Sequence, residues 1–436
     1  MSGARRGDRL WIHGGRVVDP SQGLDGTADL IIERGRVAAI GPGLDRPEDA
    51  RSIDASGLVV APGFIDLHVH FREPGGEHKE TIATGARAAV AGGFTTVWTM
   101  PNTDPPIDDP AAVGFVRTAG VAACGARVMP IGAASIGMKG EQMTEIGELV
   151  GAGAVAVSDD GAPVGNAGLM RRLLEYTQTF GIPVVQHSEV VELAAGGVMN
   201  EGSVATALGL RGIPNVAEAA MIARDALLSE LTGGHLHVCH VSTRESVEQL
   251  RLARDKGLRV TSEVTPHHLL LTDELVRGYN TEAKVNPPLR TARDVEAVRQ
   301  ALVDGVIDVI ATDHAPHHYE EKEREFDDAP FGINGLETAF GLCMKALVEP
   351  GHMSVARLID RMACAPARIM GLDSGTLRPG APADVVLLDP EEIWTVEPER
   401  FASRSRNTPI AGWRLPGRVR RTLVGGETRY EAEEER

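Results

Sequence analysis

Short apolar runs punctuated by turn formers open the chain, at residues 10–12, 16–18, 29–33, 36–40 and 58–61, with Gly14, Gly15, Gly35 and Pro42 between them. Runs of this length with such boundaries predict strands. The pattern returns near the other end, at 383–388 and 418–425. The economical arrangement is a small β-sandwich domain built from both termini, residues 1–60 and 369–436, clasping a central domain. The mostly acidic residues 431–436 are expected to fray.

The centre of the chain alternates apolar runs with amphipathic or alanine-rich stretches. Strands are predicted at 63–68, 95–100, 126–132, 153–158, 182–187, 236–241, 259–264 and 306–312, and helices at 81–91, 169–180, 216–231, 244–256 and 292–303. Eight strands alternating with helices predict an α/β fold, a (β/α)8 TIM-like barrel over residues 61–368. A doubly wound sheet is the alternative.

Composition narrows the function. The 436 residues are 42% hydrophobic and 24% charged, as in a globular protein, and carry a net charge of −17. That acidity argues against nucleic-acid binding, which needs a basic surface, and an anionic substrate would need cations placed locally. The four cysteines are far apart with no CxxC pair, which leaves zinc ribbons and thioredoxin-type chemistry without support. Residues 1–10 hold no apolar export signal, and no run reaches 18 uninterrupted apolar residues. The expectation is a cytoplasmic protein that neither crosses nor binds a membrane.

Catalytic groups of such a barrel belong at the C-terminal ends of its strands. The first predicted strand ends in His68-Val69-His70, whose two imidazoles share one side of an extended chain. The fourth runs into Asp159-Asp160-Gly161, the fifth ends at His187, the sixth reaches His240, and the eighth ends at Asp313-His314. Taken singly, each has an ordinary reading as a turn, cap or buried histidine. Together they suit Zn²⁺, and four histidines with two aspartates exceed one tetrahedral site, so two metals are implied. A bridging carboxylate and hydroxide would hold such a pair about 3.5–4 Å apart and bring the water's pKa from about 15.7 toward roughly 7. His235 and His237 lie on the opposite strand parity to His240 and read as structural; His267 and His268 could stand behind the ligands; His78 and His318 carry no argument.

Longer motifs now bear on the reading. PGFIDLHVHFREPG (62–75), MPNT (100–103), SDDG (158–161), HVCHVST (237–243), TPHHL (265–269), KVNPPLR (284–290), ATDHAPH (311–317) and PFGINGLET (330–338) together resemble the class I dihydroorotases of the amidohydrolase superfamily. The resemblance implies reversible closure of N-carbamoyl-L-aspartate to L-dihydroorotate with loss of water, in pyrimidine synthesis. It further implies that His68, His70 and Asp313 bind one zinc, that His187 and His240 bind the second, and that Asp160 bridges them. Asp313 would double as general base and acid. Arg72, Asn102, Asn286 and His317, with His70 and the backbone at Phe331 and Gly332, would hold the substrate. A homodimer and a complex with aspartate transcarbamoylase are the implied assemblies.

Arg72 suits this role physically, because its planar fork matches a carboxylate. Many relatives, including hydantoinases and allantoinases, bridge their metals with a carboxylated lysine from the fourth strand. Only six lysines occur here, none between Lys139 and Lys256. The resemblance to the class I enzymes implies that Asp160 fills the role, because their motif places the ligand immediately before the glycine, with Asp159 as fallback. The stretch 317–331 is too charged for core and reads as a lid or a solvated helix.

Overall fold

The computed structural model describes residues 9–433. Eight central strands run parallel: β1 (Phe64–Val69), β2 (Phe94–Thr99), β3 in two pieces (Arg127–Pro130 and Gly132–Ala133), β4 (Val157–Ser158), β5 (Val184–Gln186), β6 (Leu236–Val238), β7 (Val260–Val264) and β8 (Val309–Ile310). Each pairs with the next in chain order. The break in β3 does not interrupt the ladder, since Ile131 N–H donates to Thr99 O at 2.9 Å and Gly132 N–H to Ala156 O at 3.0 Å. Beyond β8, His314 forms a parallel bridge to Val69 and accepts from His70 N–H at 2.9 Å, which joins the last strand to the first.

The longer intervening helices are α1 (Ile82–Ala91), α2 (Pro110–Ala122), α3 (Ile146–Ala152), α4 (Ala167–Thr177), α5 (Asn215–Thr232), α6 (Arg244–Asp255) and α7 (Ala292–Asp304). Local chemistry sets their ends. Thr81 caps α1 through a capping box, Asp109 accepts from Ala111 and Ala112 N–H before Pro110 opens α2, and Thr243 accepts from Ser246 N–H at the start of α6. Helix α6 then buries Ser246, Val247, Leu250 and Ala253, the spacing of one helical face. Leu250→Ala would open a void there and cost about 2–5 kcal/mol.

Several expected strands shorten for physical reasons. Residues 153–158 contribute only Val157–Ser158, because Gly153 ends α3 in the left-handed conformation, at φ 114°. The expected helix at 169–180 breaks into α4 and a 3-10 turn at Gln178–Phe180, closed by Gly181.

Two outer sheets draw on both ends of the chain. One has the order Arg36–Gly41, Asp29–Glu33, Arg9–His13, Arg51–Asp54; the other runs Glu427–Glu431, Arg414–Val424, Val385–Thr395, Val59–Pro62, Arg16–Asp19, Leu24–Thr27. Leu10, Ile12, Leu30 and Ile32 from the first share one apolar core with Val17, Val60, Val385, Leu387 and Leu423 from the second. Strand Leu24–Thr27 is exposed throughout, which explains why no apolar pattern marks it. The expected fraying from 431 is corrected at its start: Glu431 closes a strand, and Ala432 N–H donates to Arg420 O. Residues 434–436 lie outside the described residues. Among the described residues no helix is long and apolar enough to cross a membrane.

Candidate active site

All six expected metal ligands lie at one end of the parallel strands and are buried. His68 Nε2 is 3.2 Å from His70 Nε2, and His70 Nε2 is 3.0 Å from Asp313 Oδ1. Across the site, His187 Nδ1 lies 3.0 Å from His240 Nε2. Asp160 stands between these groups. Its Oδ2 is 3.4 Å from His68 Nε2 and 3.5 Å from His70 Nε2, whereas its Oδ1 is 3.4 Å from His240 Nε2 and 3.6 Å from His187 Nδ1. Each oxygen of one carboxylate thus addresses a different histidine pair.

Arg72, His240 and Asp313 all have positive φ, 61°, 32° and 48°, and make up three of the seven such non-glycine residues among the described residues. A concentration of left-handed backbone at one site, away from glycine, marks side chains aimed against local preference.

The donor set fits divalent metal. Asp160 Oδ1 is buried without a hydrogen-bond partner, and imidazole nitrogens face each other in pairs, an arrangement that a cation between them resolves. Burial opposes ionisation of Asp160, but His68, His187 and His240 outweigh it and hold the carboxyl well below its usual range. Asp313 is likewise lowered against its burial, by His68 and His70. Asp159 is otherwise engaged, accepting from Ser135 N–H at 2.9 Å and from the Ser135 hydroxyl.

Two participants, Glu263 and Cys239, were not legible in the sequence, and a third, His267, is expected from it only behind the ligands. Glu263, inside β7, accepts from His68 Nδ1 at 2.7 Å with one oxygen and lies 3.1 Å from His237 Nε2 with the other; His237 Nδ1 meets Thr261 Oγ1 at 2.8 Å. His237 is therefore not a ligand, but it supports the group that orients one. Cys239 joins His68, Asp160 and His240 in a set of ligand atoms within 4.8 Å of one another, because the left-handed turn at His240 breaks strand alternation. His267, beyond β7, is buried with no partner at Nε2, and burial pushes it down to about 4.

The expected substrate groups surround this cluster. Arg72 Nε donates to Pro316 O at 3.2 Å, and its Nη2 lies 3.3 Å from His317 Nε2. Burial lowers Arg72 to about 10, which leaves it charged at neutral pH. His317 Nε2 is 2.8 Å from Phe331 O; burial and Arg72 push this imidazole down to about 3, so it is neutral. Asn102 has its Oδ1 2.8 Å from His70 Nδ1, which commits that oxygen to orienting the histidine. Asn286 Nδ2 contacts Glu189 Oε2 at 3.2 Å, and its Oδ1 is buried without a partner. Gly332 N–H donates to Lys284 O at 2.9 Å; a side chain at Gly332 would come within 2.7 Å of Ala315 O, so only glycine fits.

The stretch 317–331 corrects one expectation. Far from being wholly too charged for the interior, it buries Lys322, whose Nζ donates to the carbonyls of Thr281, Lys284 and Pro330. Lys284 Nζ in turn donates to Phe326 O and Asp327 O. Two lysines thus pin this segment to the neighbouring loop.

Parallel strands with a buried histidine and aspartate cluster at their ends define an α/β metal-dependent hydrolase. The profile of dihydro-orotase-like proteins matches residues 57–246. Dihydroorotase of Anaeromyxobacter dehalogenans is 55% identical over 427 residues, covering 97% of this chain and 98% of the relative, and dihydroorotase of Geobacter metallireducens is 52% identical over 421 residues, covering 97% and 99%. Among solved structures, L-hydantoinase (dihydropyrimidinase) from Arthrobacter aurescens superposes with TM-score 0.86 at 27% identity, over 96% of this chain and 95% of the other. D-hydantoinase (dihydropyrimidinase) from Thermus sp. gives 0.82 at 25%, over 98% and 97%. The chain belongs to the dihydroorotase family, enzymes that hydrolyse cyclic amides.

Proposed function

We propose that this chain catalyses the reversible cyclisation of N-carbamoyl-L-aspartate to L-dihydroorotate as a class I enzyme with two Zn²⁺ ions. The observation that carries the reading is Asp160, whose two oxygens address two separate histidine pairs at a strand that offers no lysine. The scaffold is read as a closed (β/α)8 barrel over 61–368, supported by the unbroken pairing from β1 to β8 and the Val69–His314 bridge. The outer sheets are then read as a β-sandwich from the flanking segments 1–60 and 369–436, with the interior strand Val59–Pro62 carrying the chain from this sheet toward the barrel.

His68, His70 and Asp313 would hold one ion, His187 and His240 the second, and Asp160 both. When bound, these ions supply a water acidic enough to attack at neutral pH and polarise the amide carbonyl. In the hydrolytic direction Asp313 accepts a proton from the attacking water and delivers it to the departing ring nitrogen, and in cyclisation it runs the same transfer in reverse. Arg72 binds the substrate carboxylate, and the unpartnered Asn286 Oδ1 accepts from a ring N–H. His317, held neutral, fixes the Arg72 and Phe331 side of the pocket. This answers the acidity of the chain, because positive charge is concentrated where the diacid binds.

The hydantoinase-like superposition favours one competing substrate class, and an assay separates them. Purified protein is offered dihydroorotate, hydantoin and allantoin, and turnover of dihydroorotate alone is expected; hydantoin turnover without dihydroorotate would refute the assignment. A homodimer, and a complex with aspartate transcarbamoylase, complete the reading on family grounds, and both are tested by sedimentation of the chain alone and mixed with the transcarbamoylase.

A further inference from the structure

We propose that Asn407, in the C-terminal segment, is a positioning residue that sets the geometry of the substrate pocket; the inference rests on the reading of that pocket given above. After β8 the backbone at His314 and Ala315 runs beside Ile333, with a parallel bridge from His314 to Ile333 and Ala315 N–H donating to Ile333 O at 3.0 Å. One residue further the ladder fails. Ala315 O and Gly332 O are both acceptors, each 3.0 Å from Asn407 Nδ2, and the two segments pack so closely that a Cβ on Gly332 would sit 2.7 Å from Ala315 O. Neither carbonyl can satisfy the other.

Asn407 resolves this. Its Nδ2 donates to Ala315 O and to Gly332 O, each at 3.0 Å, and its Oδ1 accepts from His317 N–H at 3.0 Å. One planar amide thus joins three backbone groups of the two pocket segments, and the opposite amide orientation would set an oxygen against two carbonyls. The surrounding strap is built to hold it. The Ser405 hydroxyl donates to His317 O, Asn407 O accepts from Asn334 N–H at 2.8 Å, and the buried carboxylate of Glu80 receives Ser403 Oγ and Arg404 N–H. Glu337 receives the N–H groups of Ala402 and Ser403. None of the six candidate metal ligands touches Asn407 through these bonds, so its influence falls on the position of His317 and Gly332 beside Arg72. The flanking β-domain thereby acts in substrate binding, beyond covering the barrel.

The test is Asn407→Asp, which keeps shape and the acceptor for His317 N–H but removes both donors and turns a carboxylate toward two carbonyls. In the full-length, metal-loaded enzyme KM for dihydroorotate is expected to rise about 10-fold or more, with kcat changed by less than about 3-fold and metal content equal to wild type. Arg404→Ala, an exposed change on the same strap, is expected to leave both constants unaltered. If Asn407→Asp does not fold, Ser405→Ala, which removes one bond to His317, carries the test with an expected rise of several-fold in KM. A folded variant with wild-type KM, or one that loses kcat and metal together at constant KM, would overturn the inference while leaving the enzyme assignment standing. Wild-type protein inert toward dihydroorotate would instead overturn the assignment, and this inference with it.

Discussion

His68 Nδ1 sits 2.7 Å from one oxygen of Glu263, and the other oxygen of that carboxylate is held by His237 at 3.1 Å. The contact keeps a proton of His68 on Nδ1, so that Nε2, which faces His70 and Asp160, is the nitrogen that would bind an ion. Glu263→Gln should keep the packing but weaken the acceptor, and lower metal affinity about 10–100-fold. Chelator competition on the metal-free protein measures this; an unchanged affinity would remove Glu263 from the centre.

The adjacent aspartates should separate cleanly. Asp160→Asn is expected to drop bound metal from two ions per chain to one or none. Asp159→Asn should retain both, while costing about 1–3 kcal/mol of stability through the weakened bonds to Ser135. Metal analysis and thermal unfolding of the two variants together decide the assignment, and the reverse pattern would exchange their roles.

Arg72→Met is expected to raise KM for dihydroorotate about 10–100-fold, the worth of a charge-assisted pair, with a smaller change in kcat. His317 predicts a pH behaviour. With its folded value near 3, far below the ordinary histidine value, it does not gain a proton until strongly acidic conditions. KM should therefore show no His317 ionisation between about pH 5 and 8, and a histidine-like step in wild type that His317→Asn abolishes would contradict the assigned neutral state.

What the sequence showed of the fold followed from periodicity. Residues 244–256 and 292–303 matched α6 and α7 closely, since each has an amphipathic face and a threonine before its first turn. What escaped it lacked a local signal. Leu24–Thr27 buries nothing, and α2 combines glycine with β-branched residues. At the site, the strand-end histidines and aspartates could be listed because alternation and strand endings are local properties. Glu263 could not, since a glutamate inside a strand ordinarily faces water and its partner His68 lies 195 residues away. Lys322 was hidden for a related reason: three backbone carbonyls, two of them about 40 residues away in sequence, make its burial tolerable. The contacts of Asn407 span as many as 92 residues.

The central claim is metal-dependent turnover of dihydroorotate with Asp313 moving the proton. One experiment addresses it: hydrolysis of L-dihydroorotate by the purified chain as isolated, after chelation and after Zn²⁺ is returned, with Asp313→Ala run in parallel. The account predicts activity, its loss, and its recovery, and a folded Asp313→Ala protein slower by at least about 100-fold under every condition. Undiminished turnover after complete metal removal, or near wild-type activity in Asp313→Ala, would contradict it.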